Sequence, residues 1–170
     1  IMDVTAFTKV RVSGKGAADL LDRLTANKLP AKIGGIGLTH MLNKRGRIEL
    51  ETTIFKMAED QYYLVCAAFF EQRLLDHLNH HHEGEDVTIT ALSDQWSALT
   101  INGPDARHVL AAVTDAPLDN ANFRWLTGQE ISIAGHRVWA LRMSYAGELG
   151  WELHMPNDAC LDVYTALIDS

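Results

Sequence analysis

At 170 residues the chain can bury a core as one large domain or two small ones, and its 47% hydrophobic and 22% charged residues are ordinary for a globular protein. A formal net charge of −7 without a basic cluster argues against nucleic acid as a partner, because phosphate binding needs concentrated Lys and Arg. No apolar run approaches the roughly 20 residues of a membrane-spanning helix, no signal peptide is legible, and Cys66 and Cys160 lie in apolar surroundings that suit buried free thiols.

Residues 7–12 alternate as a strand, and Ser13-Gly14 turns into an amphipathic helix with Ala17, Leu20, Leu21 and Leu24 on one side. Residues 37–42 and 48–55 read as two strands joined by Asn43-Lys44-Arg45-Gly46, whose glycine signals a hairpin. A strand at 62–67, a helix at 71–80 and a closing strand at 87–92 complete the first half. The pattern then returns. Residues 99–101 read as a strand, Asn102-Gly103-Pro104 as a turn, and Ala106, Val109, Leu110 and Val113 as a helix face. Val12, Gly14, Ala17, Leu21, Leu24 and Thr25 register without a gap onto Ile101, Gly103, Ala106, Leu110, Val113 and Thr114, which lie 89 residues later. Strands at 130–133, 138–143 and 150–155 precede a last helix at 158–168 with Leu161, Tyr164 and Leu167 as its stripe.

This order predicts an α+β fold of two duplicated ferredoxin-like halves, residues 1–92 and 93–170, each an antiparallel sheet with helices on one face. The pattern is already under way at Ile1 and Ser170 follows a helix directly, so a piece of a longer protein is expected.

Two stretches carry candidate chemistry. In 142–154, RMSYAGELGWELH, Gly147 and Gly150 bend the chain, while Glu152 lies between Trp151 and Leu153. On a period-two strand Glu152 faces away from those neighbours and shares a face with Gly150 and His154, pointing either into water or into a pocket. In 45–55, RGRIELETTIF, the same period puts Ile48, Leu50, Thr52 and Ile54 on one face and Glu49, Glu51, Thr53 and Phe55 on the other, a solvated face or a pocket wall with a carboxylate. The run His80-His81-His82-Glu83 has no HExxH partner and points its rings in different directions, so no metal site is expected. No GxSxG elbow, P-loop or GxGxxG is present.

The ordered motifs LTHMLNKRGRIELETTIF, QYYLV, ALTINGPDARHVLAAVT and RMSYAGELGWELHMP resemble the folate-binding aminomethyltransferase family over essentially the whole chain. That family includes the T-protein of the glycine cleavage system and the C-terminal folate portions of dimethylglycine and sarcosine dehydrogenases. THML, GPxARxVL and SYxGELGWEL point to the dehydrogenase branch.

The resemblance implies the fold of the T-protein's N-terminal folate-binding domain, with tetrahydrofolate as cofactor and a one-carbon unit passed to it from an N-methyl amine. It makes Glu152 the pterin-binding carboxylate, accepting a ring N–H and the exocyclic amine as a bidentate pair, with Tyr145 beside the folate. It makes Glu51 the catalytic acid–base that orients the amine nitrogen and accepts its proton, and Thr53, Val65 and Phe7 pocket residues. Charge, apolar run length and the histidine spacing had already set the expectation of no metal, no nucleic acid and no membrane. The expected partners are the folate, the donor amine, a C-terminal barrel and an FAD domain, linked or adjacent, in the cytoplasm of a bacterium or the mitochondrial matrix of a eukaryote.

The chain also departs from the family pattern. The T-protein's adjacent aspartates fall on Leu50 and Glu51, its Gly-Gly turn is Gly46-Arg47, and Ala67 stands near the place of an asparagine. No FAD fingerprint is present, and the family's downstream arginine motif and barrel would lie beyond Ser170. The alternative is a non-catalytic interaction protein, as in the regulatory protein of pyruvate dehydrogenase phosphatase, against which the retention of both Glu51 and Glu152 counts. Iron–sulfur assembly relatives rank last, because neither cysteine lies where their GQE-type motif carries one.

Overall fold

Residues 1–170 are described by a computed structural model, in which they form two units, Phe7–Asp94 and Ile1–Ala6 with Gln95–Ser170. The chain begins with a two-residue strand, β1 (Met2–Asp3). The first unit then runs β2 (Thr8–Ser13), α1 (Ala17–Leu24), β3 (Ile36–Leu42), β4 (Ile48–Ala58), β5 (Gln61–Cys66), α2 (Glu71–His80) and β6 (Thr88–Ala91). Its strands make an antiparallel sheet in the order β3-β4-β5-β2-β6. Alternation sends Val10, Val12, Leu50, Ile54 and Leu64 to one face, where they bury against Ala17 and Leu21 of α1 and Leu74 and Leu78 of α2. Lys9, Thr53 and Val65, cross-strand neighbours in register, occupy the opposite face.

The second unit runs β7 (Trp96–Asn102), α3 (Ala106–Ala112), β8 (Thr127–Ile133), β9 (His136–Arg142), β10 (Gly150–Pro156) and α4 (Cys160–Asp169). Its antiparallel sheet has the order β1-β7-β10-β9-β8. Leu99, Ile101, Trp151, Leu153 and Met155 pack against Ala106 and Leu110 of α3 and Val163 and Leu167 of α4.

The duplication read from the sequence is present in three dimensions. Gly14 and Gly103 both sit at positive φ, +120° and +123°, where strand turns into helix. The Gly14 N–H donates to Asp60 O and the Gly103 N–H to Leu149 O, each at 2.9 Å. Gln61–Cys66 and Gly150–Pro156, the 3-10 turns Ala68–Phe70 and Asn157–Ala159, and the helices α2 and α4 start at the same 89-residue offset. Read from the opposite end, the second sheet repeats the first, β8-β9-β10-β7 against β3-β4-β5-β2. Without the outer strand β3, the first unit is the βαββαβ ferredoxin-like arrangement.

Three features differ from the sequence reading. The fifth place in the second sheet is taken by β1, with Met2 opposite Thr100 and Asp3 opposite Leu99, so residues 1–6 belong with the second unit. A two-residue strand is too short to show alternation. Glu49 does not share a face with Glu51. The β3–β4 register shifts between Met41 and Leu42, a bulge that lets Glu49 reach Arg73 of α2 and accept from Asn43 Nδ2 at 2.8 Å. The buried stripe of α4 is Val163 and Leu167, whereas Leu161 and Tyr164 are exposed. A helix carrying apolar residues all round offers several stripes, and packing against β7 and β10 selects one.

Candidate functional site

In the second unit, β10 places the site. Trp151, Leu153 and Met155 fill the core beneath the helices, so Gly150, Glu152 and His154 face the other way. That face is not solvated at these positions: Glu152 is 8% exposed and His154 0%. Burial of a carboxylate is costly unless it is paired or hydrogen-bonded, and Glu152 Oε2 lies 3.2 Å from His154 Nε2. Opposite Glu152 are Thr100 on β7 and Leu141 on β9.

The same row continues through Asn102, opposite Gly150. The Asn102 Nδ2 donates to Thr100 Oγ1 at 2.6 Å, while its Oδ1 is buried and accepts no hydrogen bond. Gly150 is needed for space rather than for turning. A Cβ there would stand 1.9 Å from Asn102 Oδ1 and 2.8 Å from Ile101 O. The left-handed turn residue is Gly147, at φ +78°. Tyr145, in the same loop, is fully exposed.

In the first unit, Thr53 on β4, Val65 on β5 and Lys9 on β2 form one cross-strand row, all buried. The fully buried Lys9 donates from Nζ to Phe7 O at 2.7 Å, which ties the Phe7 backbone to this row. Glu51 lies two residues along β4 from Thr53, on the same face, but is exposed and paired with His40 Nε2 at 2.9 Å across the β3–β4 pair. Of the expected site residues, Thr53, Val65 and Phe7 are thus joined by Lys9 and Glu51 extends their row; within the second unit, Glu152 sits in the buried row and Tyr145 projects from the loop before it.

Lys9, Thr100, Asn102 and His154 are polar residues of these faces that the sequence reading gave no role. For Lys9 the signal was available, since a lysine in the alternation Thr8-Lys9-Val10-Arg11-Val12 must face away from the two valines. His154 stood in the same period-two register as Glu152. Thr100 and Asn102 join the row only through strand pairing.

Other titratable groups stand apart from these rows. Burial pushes the Cys66 thiol up to about 11, so it is held as a neutral thiol. In the histidine run, His81 Nδ1 lies 2.9 Å from His77 O and His82 Nε2 lies 2.7 Å from Glu85 O. Burial, reinforced by His81, lowers the His77 pKa below the usual imidazole value.

The chain matches known proteins over its whole length. The family model of the GCVT N-terminal domain matches residues 1–170. Mitochondrial dimethylglycine dehydrogenase of Mus musculus is 31% identical over 172 residues, covering 100% of this chain and 20% of that protein. Mitochondrial sarcosine dehydrogenase of the same species is 34% identical over 177 residues, covering 95% of this chain and 19% of that protein. The chain therefore spans about a fifth of the length of these relatives. Among solved structures, the glycine cleavage system aminomethyltransferase T from Bartonella henselae superposes with a TM-score of 0.85 at 25% identity, over 98% of this chain and 44% of that one. A duplicated pair of ferredoxin-like units, a single buried carboxylate, Glu152, on β10 and a match from the first residue to the last agree: the chain belongs to the GCVT N-terminal domain family.

Proposed function

We propose that this chain is the tetrahydrofolate-binding domain of an aminomethyltransferase or of a dimethylglycine or sarcosine dehydrogenase-like protein, in which a one-carbon unit passes from an N-methyl amine to tetrahydrofolate. The observation that carries the reading is Glu152, a carboxylate buried on the sheet face away from the helices. A pterin presents a ring N–H beside an exocyclic amine, two parallel donors that a carboxylate accepts together as a charge-assisted pair. Asn102 Oδ1, buried and accepting no hydrogen bond in the same row, is a further acceptor. Burial strengthens both interactions by excluding competing water.

Tetrahydrofolate would supply the nucleophilic nitrogen. The donor's N-methyl carbon must already stand at the iminium level, its two electrons passed to an acceptor in a further part of the longer protein, and the donor amine leaves as its bond to that carbon breaks. Glu152 holds the pterin. Glu51 accepts the proton that the folate nitrogen releases as its bond to the incoming carbon forms, and His40, 2.9 Å away, keeps that carboxylate directed. In the first unit Thr53, Val65 and Phe7 are the pocket residues; in the second, Tyr145, fully exposed on the loop before β10, is available to pack against a folate. The donor amine is delivered by further parts of a longer protein, in keeping with relatives about five times the length of this chain.

Calorimetric titration with tetrahydrofolate tests the reading. The wild-type chain binds, and Glu152→Ala loses about 2 kcal/mol or more, the worth of a hydrogen-bonded pair to a charged group. Equal binding by the two proteins would remove Glu152 from the pterin.

A further inference from the structure

We propose that His154 is a positioning residue for Glu152, holding its carboxylate in the orientation that selects the pterin's amine edge; the inference rests on the folate-binding reading above. Glu152 has three side-chain torsions and, on a strand, several rotamers to choose from. The hydrogen bond between His154 Nε2 and Glu152 Oε2, 3.2 Å long, restricts that choice. A carboxylate has about four lone-pair positions, so a bond at one of them leaves Oε1 and the outer side of Oε2 available to two parallel donors. His154 is itself fully buried, with Ala98 of β7 and Trp139 of β9 as its cross-strand neighbours.

The internal duplication shows that the fold does not require this pair. At the 89-residue offset, Glu152 corresponds to Tyr63 and His154 to Val65, on β5 of the first unit. Both are buried on the equivalent face of an equivalent sheet, 2% and 5% exposed. One scaffold therefore accepts an aromatic and a valine where the other carries an acid and an imidazole. A buried ionisable pair adds little stability over apolar residues of similar volume. Its presence in one copy alone points to binding rather than to packing. Thr100 and Asn102 extend the contrast: joined by an amide–hydroxyl bond, they correspond to Arg11 and Ser13, neither of which carries an amide side chain.

The test compares two ligands on the 170-residue chain: tetrahydrofolate, and its 2-desamino-2-methyl analogue, which lacks the exocyclic amine. The wild type should favour tetrahydrofolate by about tenfold or more, the factor expected from one hydrogen bond to a charged acceptor. In His154→Val, the residue found at the equivalent place in the first unit, tetrahydrofolate should bind about tenfold more weakly and the preference should fall towards one, with the analogue's affinity little changed. In His154→Gln, whose amide can still donate to Glu152, the preference should return. Thermal unfolding of each variant separates loss of fold from loss of orientation. If the valine variant unfolds, His154→Gln against the shorter His154→Asn decides: retention by glutamine alone supports positioning, and equal preference in both overturns it. An unchanged preference in a folded His154→Val also overturns the positioning role while leaving folate binding by Glu152 in place. A wild-type chain that binds neither ligand overturns both readings.

Discussion

At the scale of single residues, Gly147 in the β9–β10 connection and Gly150 at the start of β10 are both glycine for opposite causes. Gly147 sits at φ +78° with open space where a side chain would go, so Gly147→Ala is strained only by its backbone and should cost about 1 kcal/mol. Gly150 lies beneath Asn102, and a methyl group there collides with the Asn102 amide and with Ile101 O. Gly150→Ala should therefore cost about 1–3 kcal/mol through overpacking and displace the row that carries Glu152. Urea unfolding of the two variants checks the order, and equal costs would refute the assignment. From the sequence both residues read as turn glycines, because spacing reveals a sharp bend but not the side chain lying across one of them.

At the scale of elements, the end of α2 is tied back to α1 by charge. Arg23, in the last turn of α1, donates to Glu85 in the connection between α2 and β6, and also to His81 O at 2.8 Å. The Glu85 carboxyl is lowered to about 2, first by its own backbone N–H, then by Arg23, with the Glu83 N–H adding to it. A carboxyl whose pKa falls on folding stabilises the native state above its unfolded value and loses that contribution as the pH drops through the folded one. Acid unfolding should therefore steepen between about pH 4.5 and pH 2 in the wild type and be shallower in Glu85→Gln. Both groups are accessible to ions, so added salt should narrow the difference; coincident acid profiles would show the pair to be inert. The same scale holds two corrections to periodic reading. In β4 a bulge rotates Glu49 out of the face it would share with Glu51 and gives it to Arg73. In α4 the buried stripe is set by what the helix rests on, not by the first apolar spacing found along it.

For the molecule as a whole, the duplication is closed by a strand from a distant part of the chain. In the first unit the place beside β2 is filled by β6, which follows α2; in the second, the place beside β7 is filled by β1, more than ninety residues earlier. The Ala98 N–H donates to Thr5 Oγ1 at 3.1 Å and Ala98 O accepts from Val4 N–H at 2.9 Å. Removing residues 1–6 should speed amide exchange at Ala98 while leaving β2, their neighbour in sequence, protected. Hydrogen exchange with residue resolution reads this directly, and the reverse pattern would contradict the pairing. No helix of the chain is long and apolar enough to cross a membrane.

The sequence alone determined every strand but the two-residue β1, the helices, the 89-residue repeat, the family resemblance and the carboxylates worth testing. All of these are written in short-range periodicity and in motifs a few residues long. Only the tertiary structure decided that residues 1–6 join the second sheet, that Glu49 leaves its expected face, that Tyr145 stands in solvent, and that Glu152 is buried against His154. Those outcomes come from pairing and packing between residues far apart in the chain, where the free energy of a contact depends on which surfaces meet.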